Sequence, residues 1–151
     1  MTPGVLYFST ICVNVILLNH YRLSDLGDVR YTLIKRVLLK LTAQQLMNLE
    51  QRNPMLIFED NEIWESLVKK DYPQEVGQKF TNNRAKIRKF YELQLEEANS
   101  DYSSLNLDHY INMSEVETNV PMKRYRLPNK LVYLKLQQDY EKKKELAIEN
   151  L

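Results

Sequence analysis

Apolar residues between positions 29 and 68 recur at helical spacing, and this pattern limits the fold more than any other feature. The segment VRYTLIKRVLLKL has apolar side chains at relative positions i, i+1, i+4, i+5 and i+8, namely Leu33, Ile34, Val37, Leu38 and Leu41. One broad apolar face of this kind predicts an amphipathic helix. With only 3 glycines and 5 prolines in 151 residues, long stretches lack a helix breaker. The sequence therefore predicts an all-α protein.

Two more helices are predicted directly after this one. Thr42 followed by Gln45 is a capping-box pattern, which opens a helix that ends at Asn53-Pro54. Asp60 is the predicted N-cap of a third helix, which Asp71-Tyr72-Pro73 ends. Four residues of that helix share one side: Ile63, Trp64, Leu67 and Val68. We therefore predict a three-helix cluster over residues 28–72.

The second half of the chain is more polar. Residues 73–99 are charged and helical in pattern, which predicts a long helix with a thin apolar stripe of Phe80, Ile87, Tyr91 and Leu95. Residues 100–128 are rich in Asn, Ser and Asp and lack a period, so they are predicted to be a polar loop or tether. Residues 129–151 are predicted to form a last helix that starts near Asn129 and reaches Glu149.

The chain begins with a strongly apolar run, Leu6–Leu18, which has no charged residue. This run is shorter than the roughly 20 apolar residues that cross a bilayer. It also lacks the basic residues before it and the small-residue cleavage site after it that mark a signal peptide. The sequence therefore predicts a helix over residues 5–18 that is buried against a partner or against the rest of the chain.

Composition argues against several functional classes. A single cysteine cannot form an internal disulfide or a thiolate zinc site, and the two histidines lie far apart in the chain. This composition favours a reducing compartment, the cytosol or the nucleus. No Gly-rich phosphate loop and no nucleophile beside a base is found in the sequence. With 21 basic and 20 acidic residues, the basic runs at 84–89 and 142–144 are predicted to be solvated faces. We therefore predict no catalysis, cofactor, metal, small-molecule substrate or membrane contact, and no direct contact with nucleic acid.

The span from Val29 to Trp64 resembles the F-box pattern. That pattern has two apolar pairs and a single leucine along a first helix, which are here Leu33-Ile34, Val37-Leu38 and Leu41. A break with a cap and a leucine follows, matched by TAQQL with Leu46. The pattern closes with an acidic residue and an apolar-Trp pair, matched by DNEIW, which ends in Trp64.

A second motif precedes the first. Phe8, Cys12 and Ile16 have the spacing of a BC box, the helix that binds elongin C, with Phe8 where the box usually has leucine. A BC box followed by an F-box-like segment is similar to the Elongin A family, and the resemblance extends from about Phe8 to Tyr91. Members of that family tend to have proline where this chain has Arg30.

The resemblance implies a non-catalytic nuclear subunit of a ubiquitin ligase complex. Such a subunit binds elongin C, recruits a cullin–RING ligase and targets stalled RNA polymerase II for ubiquitination, and it is linked to transcription elongation. The implied elongin C-binding residues are Phe8, Cys12, Val15, Ile16, Leu33, Ile34, Val37, Leu38, Leu41, Leu46 and Trp64. The implied cullin-facing residues are Val29, Arg30 and Tyr31. The second half of the chain would then face the polymerase.

Two other interpretations of the sequence stay open. The apolar spacing of the first segment also fits an internal core helix, and the F-box-like pattern fits any helix pair with a broad apolar face. The chain would then be a generic F-box-like receptor for another substrate, or a helical subunit of an unrelated complex.

Overall fold

The structure is a computed structural model that describes residues 31–75, 77–118 and 121–150, without the side chain of Leu33. In these ranges it has six α-helices: α1 Tyr31–Leu38, α2 Ala43–Arg52, α3 Asn61–Asp71, α4 Arg84–Glu97, α5 Leu107–Met113 and α6 Asn129–Glu149. Three short strands complete the fold: β1 Phe80–Thr81, β2 Glu115–Val116 and β3 Arg124–Arg126. The predicted mainly helical fold is confirmed, and α6 has the predicted bounds. The predicted helix at 5–18 lies outside the described residues.

The start of α2 is fixed by the predicted capping box. The backbone N–H of Gln45 donates to Thr42 Oγ1 at 3.2 Å, and the backbone N–H of Thr42 donates to Gln45 Oε1 at 2.9 Å. This reciprocal pair satisfies backbone donors that have no partner within the helix. At the other end, Pro54 interrupts the helix and begins a 3-10 turn, Pro54–Phe58. Local sequence alone therefore defines both ends of α2.

Asp60 is the N-cap residue of α3, as predicted, but its carboxyl group does not cap the helix. No side-chain cap hydrogen bond is formed, and Asp60 is only 1% exposed. Its backbone oxygen still accepts the first hydrogen bond of the helix, from the N–H of Ile63 at 2.9 Å. The carboxyl group is withdrawn from the helix end because it belongs to a buried polar contact, described below.

The main core lies between α1, α2 and α3 and is closed by α6. It contains Ile34, Leu38, Leu41, Ala43, Leu46, Leu49, Leu56, Ile63, Trp64, Leu67, Val68 and Tyr133. The four residues predicted to share one side of α3 are all buried. Tyr133 of α6 is the one residue of this core that comes from outside residues 34–68, the segment that holds the first three helices and their connections. The predicted three-helix cluster is thus completed by a fourth helix.

α6 lies along α3 over most of the length of α3. At their first residues, Asn129 N–H donates to Asn61 Oδ1 at 2.9 Å, and the amide nitrogen of Asn129 donates to the Asn61 backbone oxygen at 3.1 Å. Further along, the Tyr133 hydroxyl donates to Asp71 Oδ2 at 2.6 Å, and Tyr140 packs on Tyr72 with ring centroids 5.0 Å apart. Contacts at both ends therefore hold the two helices in the same direction. Beyond Tyr140, every residue of α6 is exposed.

The prediction of one long helix over residues 73–99 was wrong in its first part. Pro73 begins a 3-10 turn, Gly77 has a φ of +138°, and β1 follows before α4 starts at Arg84. A φ in that range is rarely available to residues other than glycine, so the chain cannot continue as a helix there. Phe80 accordingly lies on a strand and is exposed, whereas Ile87 and Leu95 of the predicted stripe are buried in α4.

The prediction of a loop over residues 100–128 was also wrong, because this segment forms α5, β2 and β3. The sheet has the order β1-β3-β2, and both pairs are antiparallel. A second small core beneath it joins Ile87 of α4, Ile111 of α5 and Tyr125 of β3. Strands of two or three residues are too short to show a period of two, so the sequence carried no signal for them.

Candidate functional site

The described residues that the sequence assigned to elongin C binding are buried. Ile34, Val37, Leu38, Leu41, Leu46 and Trp64 are all between 0% and 4% exposed. All of them except Val37 pack together in the main core. Side chains this deeply buried set the shape of the cluster, and their role in binding elongin C stays a prediction. Phe8, Cys12, Val15 and Ile16 lie outside the described residues, as does the side chain of Leu33.

Two apolar side chains on the surface of this cluster were not singled out by the sequence. Leu39, which directly follows α1, is 43% exposed, and Met55 in the 3-10 turn is 45% exposed. The F-box-like pattern gave no signal for either residue, because it concerns only the repeating apolar pairs. Exposed apolar side chains beside a closed core can make contact with another protein.

Tyr31, the one described residue of the three predicted to face a cullin, links α1 to α3. Its hydroxyl donates to Glu62 Oε1 at 2.6 Å, and Lys35 Nζ lies 2.8 Å from Glu62 Oε2. Burial and then the hydrogen bond to Glu62 raise the pKa of Tyr31. Hydrogen bonds from Lys35 and Tyr31 lower the pKa of Glu62. The start of α1 is therefore anchored, and Val29 and Arg30 lie outside the described residues.

A buried polar contact joins the cluster to α4 and α6. Glu50 is 2% exposed and Lys130 is 8% exposed, and Lys130 Nζ lies 2.7 Å from Glu50 Oε1. Trp64 Nε1–H donates to the other oxygen of Glu50 at 3.1 Å. Lys130 also donates to Gln94 Oε1 of α4. One buried carboxylate therefore accepts a hydrogen bond from Trp64 of α3 at Oε2 and forms an ion pair with Lys130 of α6 at Oε1, an atom that no donor among the described residues reaches in hydrogen-bond geometry.

Asp60 is the second carboxyl group at this contact. Burial, and then a hydrogen bond to Glu50, raise the pKa of Asp60 well above its usual value. Among the described residues, no N–H or O–H donor reaches Asp60 Oδ2. A neutral Asp60 that donates its own proton to Glu50 accounts for both observations, because two adjacent buried carboxyl groups do not both ionise. We therefore assign the proton to Asp60 and the negative charge, balanced by Lys130, to Glu50.

Replacement of Asp60 with asparagine is expected to stabilise the fold increasingly as the pH rises. Because the folded state raises the pKa of Asp60, its contribution is fully present below the unfolded pKa and is lost as the pH rises toward the folded pKa. In that window the stability advantage of Asp60→Asn should grow by about 1.4 kcal/mol per pH unit. Urea unfolding at a series of pH values measures this difference, with the exposed Glu59→Gln as control. Parallel curves for wild type and Asp60→Asn would mean that Asp60 is ionised in the fold.

The described residues offer neither a metal cluster nor a membrane span. Within 31–75, 77–118 and 121–150, the acidic, histidine and cysteine side chains form no group of three that could hold a metal ion. In the same ranges, no helix has the length and apolar character to cross a bilayer. The features that stand out in these residues are packing surfaces and the Glu50–Lys130 contact.

Comparison with known proteins gives the family. Residues 23–108 match the Elongin A family, the A component of RNA polymerase II transcription factor SIII (Elongin). Over 145 residues the chain is 32% identical to Elongin-A of Eremothecium gossypii, a match that takes in 93% of this chain and 43% of that protein. The chain thus spans less than half the length of this curated relative, and no solved structure matches it. Because the matched segment contains α1 to α4 and more than half of the chain, this protein belongs to the Elongin A family.

Proposed function

We propose that this chain is a non-catalytic adaptor that binds elongin C through its N-terminal apolar segment and its F-box-like cluster. The observation that carries the proposal is the match of residues 23–108 to the Elongin A family, since that span contains the whole cluster. Phe8, Cys12 and Ile16 supply the BC-box spacing just before it. The adaptor then recruits a cullin–RING ligase, with Val29, Arg30 and Tyr31 toward the cullin.

The energetics favour two contact surfaces over one. Three large apolar anchors contribute roughly 1.5–3 kcal/mol each when fully buried. Association costs an estimated 4–15 kcal/mol in lost freedom, so the short apolar segment alone binds weakly. The cluster offers exposed Leu39 as an apolar contact beside its closed core. Elongin C therefore contacts both the apolar segment and the surface of the cluster.

The proposed target is stalled RNA polymerase II, which the ligase ubiquitinates in the nucleus as part of the control of transcription elongation. This part of the proposal is supported by the description of the family as a component of an RNA polymerase II transcription factor. The second half of the chain is the proposed polymerase-facing part. Its most accessible element is the end of α6, where all residues from Glu141 to Asn150 are exposed.

Co-purification with elongin C tests the adaptor proposal. Phe8→Asp with Cys12→Asp is expected to release elongin C, because two charges would have to be buried in an apolar contact. The matched control is Ser9→Asp with Asn14→Asp, which adds the same charge at the polar positions of the segment and should retain elongin C. Leu39→Asp should weaken the complex without unfolding the chain, since Leu39 is 43% exposed.

Two results would contradict the proposal. Retention of elongin C by the Phe8→Asp, Cys12→Asp variant would contradict the role of the apolar segment in binding, and a lowered melting temperature of that variant would assign the segment to the interior of the chain. Capture of the conventional F-box partner in place of elongin C would make the chain a generic F-box-like receptor. Both partners are to be tested with the full chain under the same conditions.

A further inference from the structure

The outer face of the small sheet carries an aromatic ring beside cations that form no ion pair within the described ranges. Phe80 on β1 lies directly opposite Arg126 on β3, and the guanidinium carbon of Arg124 is 4.5 Å from the centre of the Phe80 ring. Side chains alternate along a strand, so burial of Tyr125 between the two arginines directs both of them outward. Lys86 and Lys135 line the same 430 Å³ cavity as Phe80. We name Phe80, Lys86, Arg124, Arg126 and Lys135 the basic aromatic patch.

The cations of this patch lack a counter-ion among the described residues. None of its four basic side chains forms an ion pair with another described residue, whereas Arg84 and Arg88 on α4 share Asp108. Nearby Lys79 reaches Glu75 only at 4.0 Å. Like charges placed side by side repel one another and attract an anion from solution. The positive charge of the patch therefore favours binding of an anionic partner from solution.

The cavity beside the patch favours a flat apolar group as well as an anion. Its lining includes the apolar residues Leu127, Leu131, Val132 and Leu136, together with Phe80. Phe80 itself is 37% exposed. An exposed aromatic ring stacked with arginine is the surface on which proteins stack the bases of single-stranded nucleic acids. A chain of nucleotides supplies a flat base and a phosphate at each step.

The two acidic residues of the cavity, Glu75 and Asp139, favour a nucleic acid over an acidic peptide as its ligand. Carboxylates there repel any anionic group that enters the cavity, so an acidic peptide cannot insert its charged side chains, whereas a nucleotide can insert its uncharged base and leave its phosphate outside. In contrast, they can accept hydrogen bonds from base amino groups and from the ribose 2′-hydroxyl, which is the group that distinguishes RNA from DNA. The phosphates then lie over Arg124 and Arg126.

We propose that the basic aromatic patch binds single-stranded RNA. The overall charge of +1 led to the expectation of no nucleic-acid contact, but that sum conceals the separation of charge over the surface. Arg84 and Arg88 are paired with Asp108, while Arg124 and Arg126 form no ion pair within the described part of the chain. The proposal does not depend on elongin C, since none of the patch residues belongs to the F-box-like cluster.

Fluorescence anisotropy with the full chain and a labelled oligouridylate of about 12 nucleotides tests this proposal. Wild type should bind the probe with an affinity that falls as salt rises. Arg124→Gln with Arg126→Gln should weaken binding at least about tenfold and reduce the log–log salt slope by about 1.4, the value for two phosphate contacts on a single strand. Phe80→Leu should weaken binding about tenfold through the loss of base stacking.

The control variant is Arg36→Gln with Lys40→Gln, which removes the same charge from exposed positions of α1 and the turn after it. It should keep the wild-type affinity, and all variants should melt like wild type because Arg124 and Arg126 are exposed. Equal weakening by both double variants would overturn the proposal, and so would the absence of binding by wild type. Equal affinity for the same sequence as DNA, or preference for an acidic leucine-containing peptide, would overturn the assignment to RNA.

Discussion

Replacement of Lys130 with methionine is expected to lower the free energy of unfolding by about 3–5 kcal/mol. Methionine keeps an unbranched stem as far as Cε but removes the ammonium group that lies 2.7 Å from Glu50 Oε1. Glu50 is 2% exposed, so its charge would stay buried without a cation, with only the neutral donors of Trp64 and Asp60 beside it. A loss of this size is a large part of the stability of an ordinary domain. Urea unfolding followed by circular dichroism measures it.

Two further variants isolate the cause of this loss. Lys144→Met makes the same replacement at the exposed end of α6 and should change stability by less than about 0.5 kcal/mol. Lys130→Met combined with Glu50→Gln removes both charges and should recover part of the loss, by about 0.5–3 kcal/mol. Equal stability of Lys130→Met and Lys144→Met would mean that Glu50 is not ionised in the core, contrary to our assignment.

The second large effect is expected from Leu38→Ala, which should cost about 2–5 kcal/mol. Leu38 is fully buried in the main core, so its truncation removes apolar contacts and leaves a cavity. Its neighbour Leu39 is a matched control, because it is 43% exposed and Leu39→Ala should cost less than about 0.5 kcal/mol. Thermal or urea unfolding of the two variants measures the difference.

Variants of these two leucines also distinguish a loss of folding from a loss of elongin C binding. We expect Leu38→Ala to weaken elongin C binding only through the loss of folded chain, and Leu39→Asp to weaken it while the chain stays folded. Similar stabilities for Leu38→Ala and Leu39→Ala would contradict the packing of α1 described above. The F-box-like leucines would then be free to contact a partner directly.

Much of the first half of the fold could be predicted from the sequence. The capping box of Thr42 and Gln45, the end of α2 at Pro54 and the buried side of α3 all follow from residues close to one another in the chain. Helix periods and caps are local, so a single sequence carries them. The same holds for α6, whose bounds were predicted, although its place against α3 was not.

The candidate site was predictable only in part. The apolar positions of the F-box-like pattern identified core residues such as Leu38 and Trp64, but spacing could not tell whether they face a partner or the interior. Exposed Leu39 is on no repeating pattern and was missed. The distinction between inward and outward side chains needs the positions of all neighbouring helices.

The tertiary structure alone decided the polar and basic features. Glu50, Asp60 and Lys130 meet because α6 packs across the cluster, and nothing near any of them in sequence predicts the other two. The basic aromatic patch arises in the same way, since pairing of β1 with β3 brings Phe80 beside Arg124 and Arg126. Local periodicity thus determined where most of the helices form. Contacts between distant segments determined where charge is buried and where it is left exposed, because electrostatic energy depends on distance in space.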